Sequence, residues 1–132
     1  MILLDTQVML WLRSGDPRLG RNARSEIDLA WHSEGVAVSA ISFWETAMLK
    51  EKGRLRFPEG IAMWRREQID QGIAELPVDG DIGIRAAALR GFHGDPADRI
   101  IVATALGGHQ LVTADRRILE WPGELNRLSA TD

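Results

Sequence analysis

Short apolar runs recur along the chain at Ile2–Leu4, Val36–Val38, Ile73–Val78, Gln110–Thr113 and Asn126–Ser129, and most stretches between them repeat their apolar positions with helical spacing. Runs of this length predict strands, and the longer segments predict amphipathic helices. Alternation of the two is the βαβ rhythm, which joins successive strands in parallel and lays helices over both faces of the sheet. The expected fold is α/β: a three-layer sandwich with a central, mostly parallel sheet of about five strands flanked by helices. The turn residues agree. Asp95-Pro96 opens an apolar helix that Gly107-Gly108 closes, and Pro58, Pro77 and Pro122 mark further boundaries. No repeat, low-complexity tract or linker divides residues 1–132, so one domain is expected.

Composition narrows the possibilities. With 132 residues, 45% of them hydrophobic, the chain needs no disulfide or metal to complete a core. It has no cysteine, which excludes disulfides, iron–sulfur clusters and thiolate zinc sites. The N-terminal MILLDTQVMLWLR lacks a basic lead and is interrupted by Asp5 and Gln7, so it is a poor signal peptide. No apolar run is long enough to span a bilayer, and a soluble, cytoplasmic protein is the expectation. A net charge of −3 argues against nucleic-acid binding by bulk electrostatics. Local basic clusters in KEKGRLR and WRRE can still grip phosphates, or can be solvated helix ends with snorkelling arginines.

Parallel sheets carry their sites at the carboxyl ends of the strands. Four acids fall there: Asp5 ends MILLD, Glu45 follows VAVSA in the turn SFWE, Asp98 opens the apolar helix, and Asp115 ends LVTAD. Each alone has a capping explanation. Ser42-Phe43-Trp44-Glu45 has capping-box spacing, Asp95 before Pro96 is an N-cap that places Asp98 third in its helix, and Asp5 and Asp115 suit the helices after them. Helices that follow parallel strands, however, begin on one edge of the sheet, so the four carboxylates converge. Like charges that close either raise one another's pKa or recruit a counter-charge, for which Mg²⁺ or Mn²⁺ suits oxygen ligands. The three histidines have no zinc spacing; His32 and His109 read as surface or loop residues, and His93 as a candidate beside the cleft.

The ordered segments LLDT, VSAISFWE, LKEKGRLRFP, HGDPADRIIVATA and LVTADRRI resemble the PIN-domain ribonucleases, specifically the VapC-like toxins of bacterial toxin–antitoxin pairs. The likeness runs over nearly the whole chain. It implies RNA phosphodiester cleavage with Mg²⁺ or Mn²⁺ on the quartet Asp5, Glu45, Asp98 and Asp115, with Thr113 as a supporting hydroxyl. It implies a homodimer, a cognate antitoxin and a larger toxin–antitoxin assembly. Asp5, Asp98 and Asp115 are then the chief ligands, while Glu45 holds a second ion or helps deprotonate the attacking water. Arg99 or Arg116 would meet an adjacent phosphate, with an internal salt bridge the alternative for Arg99. Two positions depart from the family pattern: Gln7 replaces a small polar residue or histidine, and Ala97 a bulky aromatic. Of the five tryptophans, most are expected in the core and some at a dimer face or antitoxin groove. The rival readings are a PIN-like binding module without catalysis and a Mg²⁺-dependent phospho-acceptor domain. The latter would require adjacent acids after the first strand and a lysine near the last, and neither is present.

Overall fold

A computed structural model describes residues 1–57 and 60–132; the boundary expected at Pro58 lies outside the described residues. Among the described residues, five strands form one sheet: β1 (Ile2–Leu4), β2 (Val36–Ser39), β3 (Ala74–Leu76), β4 (Gln110–Thr113) and β5 (Arg127–Ser129). Their order is β3-β2-β1-β4-β5, and every neighbouring pair is parallel. The sheet is thus wholly parallel where the sequence predicted mostly parallel. Parallel strands need crossovers, which seven helices among the described residues supply: α1 (Thr6–Ser14), α2 (Arg21–Trp31), α3 (Ala40–Glu51), α4 (Ile61–Asp70), α5 (Gly80–Ala87), α6 (Pro96–Ala105) and α7 (Arg116–Leu119).

The central strands are buried on both faces, and alternation of side chains divides the core into two layers. Ile2, Leu4, Val36, Val38 and Val112 face one cluster with Val8, Met9, Ile27 and Trp64. Leu3, Ala37 and Leu111 face the other, with Ile101, Val102, Ala105, Ile118 and Trp121. Helices therefore cover both faces of the sheet, as a three-layer sandwich requires. The run expected at Ile73–Val78 pairs only over Ala74–Leu76, because β3 is an edge strand whose residues are half-buried. Among the described residues, no helix is long and apolar enough to cross a membrane.

β1 is central, and its two neighbours continue the sheet in opposite directions. Strand order reverses between β1 and β4, which is where a doubly wound sheet opens a crevice at its carboxyl edge. The register Leu4↔Val112 then puts Asp5 beside Thr113, and Asp5 N donates to Val112 O at 3.0 Å.

Candidate functional site

The chain leaves the two central strands directly into this crevice. Asp5 follows β1 as the N-cap of α1 and accepts from Thr6 N at 2.8 Å. Thr113, the last residue of β4, donates from Oγ1 to Asp5 Oδ2 at 2.6 Å, and the same oxygen accepts from Asp115 N at 3.0 Å. One fully buried hydroxyl therefore fixes the Asp5 carboxylate and the backbone that launches Asp115. Asp115 caps α7 by accepting from Arg117 N, and Asp98 is third in α6, donating its N–H to the N-cap Asp95 at 3.1 Å. Those capping readings agree with the structure.

The capping-box reading of Ser42 and Glu45 does not. α3 begins earlier, at Ala40, with Ser39 as its N-cap, because the chain turns helical as soon as β2 ends. Ser42 is consequently inside the helix and fully buried. Glu45 points into the crevice, where its Oε1 accepts from Thr6 Oγ1 at 2.5 Å; Thr6 Oγ1 also contacts Ser42 Oγ at 2.7 Å. The S-x-x-E spacing is real, but it builds a hydroxyl relay that orients Glu45 from α1. The contacts of Thr6 and Ser42 escape a sequence reading because each meets a partner more than thirty residues away, by separations of 39 and 36.

The structure brings Asp5, Glu45, Asp98 and Asp115 together in a cleft of about 290 Å³, with Thr6 and Gln7 on its wall. His93 approaches from the loop before α6: its Nε2 lies 3.2 Å from Asp98 Oδ2, buried and without an aligned hydrogen-bond partner. His93, Asp98 and Asp115 each offer a ligand atom, all within 4.8 Å of one another. Arg117 closes the cluster, 3.0 Å from Asp115 Oδ2 and 3.4 Å from Asp98 Oδ2. Nothing in the sequence singled it out; only its place two residues after a strand-ending acid marks it.

Electrostatics follow from this crowding. Burial pushes the Asp98 carboxyl up to about 8, and the charges of Asp5, Asp95, Asp115 and Glu45 add to the shift. The 3.4 Å contact with Arg117 does not offset them. Asp5 and Glu45 are also raised, chiefly by burial, against the lowering effect of their hydrogen bonds to Thr113 and Thr6. Asp115 moves the other way: burial raises it, but the bonds and charge of Arg117, with His93, outweigh burial and leave it below the usual range. Three crowded carboxyls with raised pKa, one of them, Asp98, pushed up to about 8, are a donor set short of a cation. Carboxylate oxygens with one imidazole nitrogen suit Mg²⁺ or Mn²⁺.

Neither arginine considered from sequence reaches the acids. Arg99 forms no salt bridge among the described residues; instead its guanidinium donates to the carbonyls of Ala86, Ala87, Leu89, Phe92 and His93. It clamps the end of α5 and the loop that carries His93, because carbonyls left over at a helix end need donors. Arg116 pairs with Glu120 on the surface. Gln7 is exposed at the cleft, and Ala97 is buried. Trp11, Trp64 and Trp121 lie in the core, while Trp31 and Trp44 are exposed.

Comparison with known proteins gives the same picture. The PIN domain family model matches residues 2–123. Ribonuclease VapC22 of Mycobacterium tuberculosis is 36% identical over 119 residues, covering 89% of this chain and 88% of its own. A toxin–antitoxin complex from Klebsiella pneumoniae superposes with a TM-score of 0.68 at 23% identity, covering 98% of each chain. DNA-bound VapBC from Salmonella typhimurium superposes with a TM-score of 0.68 at 18% identity, over 98% of this chain and 99% of that one. A parallel sheet with acids at its switch point, matched by the family over nearly its full length, leaves one assignment: the chain belongs to the PIN-domain family.

Proposed function

We propose that this protein is a metal-dependent ribonuclease, the toxin of a toxin–antitoxin pair. The observation that carries the reading is the convergence of four carboxylates from β1, α3, α6 and β4 on one cleft in a chain 36% identical to a ribonuclease. Asp5, Asp98, Asp115 and Glu45 are the residues proposed to hold Mg²⁺ or Mn²⁺, with His93 adjoining. Such an ion, when bound, supplies the charge that neutralises a phosphodiester and lowers the pKa of a water in contact with it.

The chain's own groups do the rest. Thr113 holds Asp5 in one rotamer, and the Thr6–Ser42 pair holds Glu45, so neither carboxylate has to reorganise as substrate arrives. Glu45 is half-buried with a raised pKa, which makes it a better proton acceptor toward an attacking water than an exposed carboxylate. α1 and α6 begin at this edge and direct their positive ends toward it. Arg117 is the cleft's own counter-ion.

In the same reading the protein forms a homodimer, meets a cognate antitoxin and acts in the cytoplasm. Exposed Leu29, Met63 and Ile84 offer apolar surface for partner chains. The test uses antitoxin-free protein with Mg²⁺ or Mn²⁺ and compares RNA cleavage by wild type, Asp5→Asn and Asp98→Asn. Asparagine keeps size and capping ability but not charge, so both variants are expected to lose cleavage while staying folded. Equal activity in all three, or full activity in EDTA, refutes the reading.

A further inference from the structure

Distance alone admits His93 as a ligand beside Asp98 and Asp115, but the other nitrogen of its ring bears on the choice. Asp95 N–H donates to His93 Nδ1 at 3.3 Å. A ring nitrogen that accepts carries no proton, which excludes the imidazolium and leaves the single proton of the neutral ring on Nε2. Nε2 is buried, and Asp98 Oδ2 lies 3.2 Å from it, off the line of a straight hydrogen bond. The carboxyl torsion of an aspartate is broad, so turning that oxygen into line costs little. A nitrogen that bears a proton has no lone pair left for an ion.

The ring is fixed in this place from several sides. Segment 88–95 joins α5 to α6, and four of its carbonyls are held from outside it. Arg99 donates to those of Leu89, Phe92 and His93 at 2.8, 2.9 and 3.0 Å, and Trp121 Nε1 donates to that of Arg90 at 2.8 Å. The Phe92 ring packs 4.4 Å from the imidazole and meets Trp121 edge-on at 5.7 Å. Gly91 turns the chain at φ +66°, a conformation that a side chain would strain. Asp95 acts twice: its carboxylate accepts from Asp98 N while its amide holds the imidazole. One residue thereby sets the backbone under Asp98 and the ring beside its carboxyl.

We infer that His93 is a positioning residue of the metal site: held by the Asp95 amide with its proton on Nε2, it donates to the Asp98 carboxylate from outside the ligand set. This rests on the proposed metal site and adds the group that orients one of its acids. Carboxylates that ligate an ion are themselves hydrogen-bonded, and the loss of such a partner weakens the site although no ligand is lost.

The experiment is nitrogen-15 NMR of the imidazole rings in labelled, antitoxin-free protein at neutral pH, before and after excess Mg²⁺. The three histidines are assigned with His32→Gln and His109→Gln. His93 is expected to bear its proton on Nε2 alone and to keep it when Mg²⁺ is bound, because Nδ1 goes on accepting from Asp95. A proton on Nδ1 overturns the inference. So does loss of the Nε2 proton when Mg²⁺ is added, which would make the imidazole a ligand.

Calorimetric titration is the second arm. His93→Ala is expected to weaken Mn²⁺ binding about 10- to 100-fold and Ni²⁺ binding by the same factor, and His93→Gln, whose amide can donate, to recover most of the loss. A lost imidazole ligand would instead cost Ni²⁺ far more than Mn²⁺. Unchanged Mn²⁺ affinity in His93→Ala, a loss much larger for Ni²⁺, or a glutamine no better than alanine overturns the inference. Circular dichroism melts check folding, and the spectra of the wild type decide the matter where a His93 variant does not fold. If the wild type binds neither Mg²⁺ nor Mn²⁺, the metal-site reading fails and this inference with it; if it binds them and His93 proves a ligand or a bystander, this inference alone fails.

Discussion

Replacing Arg117 with alanine removes the positive charge that the chain places over its own acid cluster, and metal binding is expected to tighten as a result. The guanidinium lies 3.0 Å from Asp115 and 3.4 Å from Asp98, and its side chain is 60% exposed while Asp98 is 12% exposed. A divalent cation drawn to Asp98 and Asp115 has to displace these contacts. Because the arginine is solvated, each is weak, worth no more than about a factor of five in an equilibrium constant. Two contacts on one guanidinium therefore bound the gain at about 25-fold in the Mn²⁺ dissociation constant. The assay is calorimetric titration of Mn²⁺ into RNA-free wild type, Arg117→Ala and Arg117→Gln at fixed pH. Glutamine keeps much of the length without the charge and should behave like alanine. The gain should shrink at high ionic strength, where exposed pairs are screened over a few ångströms. If Mn²⁺ binds Arg117→Ala no more tightly, or more weakly, Arg117 does not compete with the ion, and the internal counter-ion reasoning is wrong.

Three further outcomes follow from the same geometry. Asp98 keeps a proton in the folded state up to about pH 8 but ionises near 3.8 when unfolded, so the stability it contributes is complete below about 4 and is lost as pH rises through 8. In EDTA the melting temperature should therefore fall between pH 6 and 9, with Asp5 and Glu45 acting in the same direction; Asp98→Asn should flatten the fall, and Mn²⁺ should reverse it. Thr113→Val keeps shape but strips the donor from Asp5 and the acceptor from the Asp115 amide, which should cost about 1–3 kcal/mol in urea unfolding and weaken Mn²⁺ binding. Arg99→Ala releases five carbonyls, some of which water can reach, for an expected loss of about 3–5 kcal/mol by urea unfolding; a loss under 1 kcal/mol would show that the clamp adds little.

The strands were legible because burial on both faces demands continuous apolar runs, and Ile2–Leu4 and Gln110–Thr113 pair over the same residues that the pattern marked. The edge strands were legible only approximately, since half-buried positions tolerate mixed residues. The four acids were legible too: parallel topology sends the carboxyl ends of β1, β2 and β4, and with them Asp5, Glu45 and Asp115, to one edge, and Asp98 joins them from the start of α6.

What orients those acids was decided by tertiary structure. Thr113 reaches Asp5 across 108 residues of sequence, and Thr6 reaches Glu45 across 39. Ser42 looks like a helix cap until the helix is seen to start three residues sooner. Arg99 looks like an ion-pair partner until the loop it clamps is folded over it, and Arg117 resembles its exposed neighbour Arg116 until α7 turns it toward Asp98. Sequence patterning specifies which face of an element is buried, because burial is set residue by residue through local periodicity. Which polar side chain meets which depends on how the elements pack, and that is fixed only when distant segments are brought within hydrogen-bonding distance.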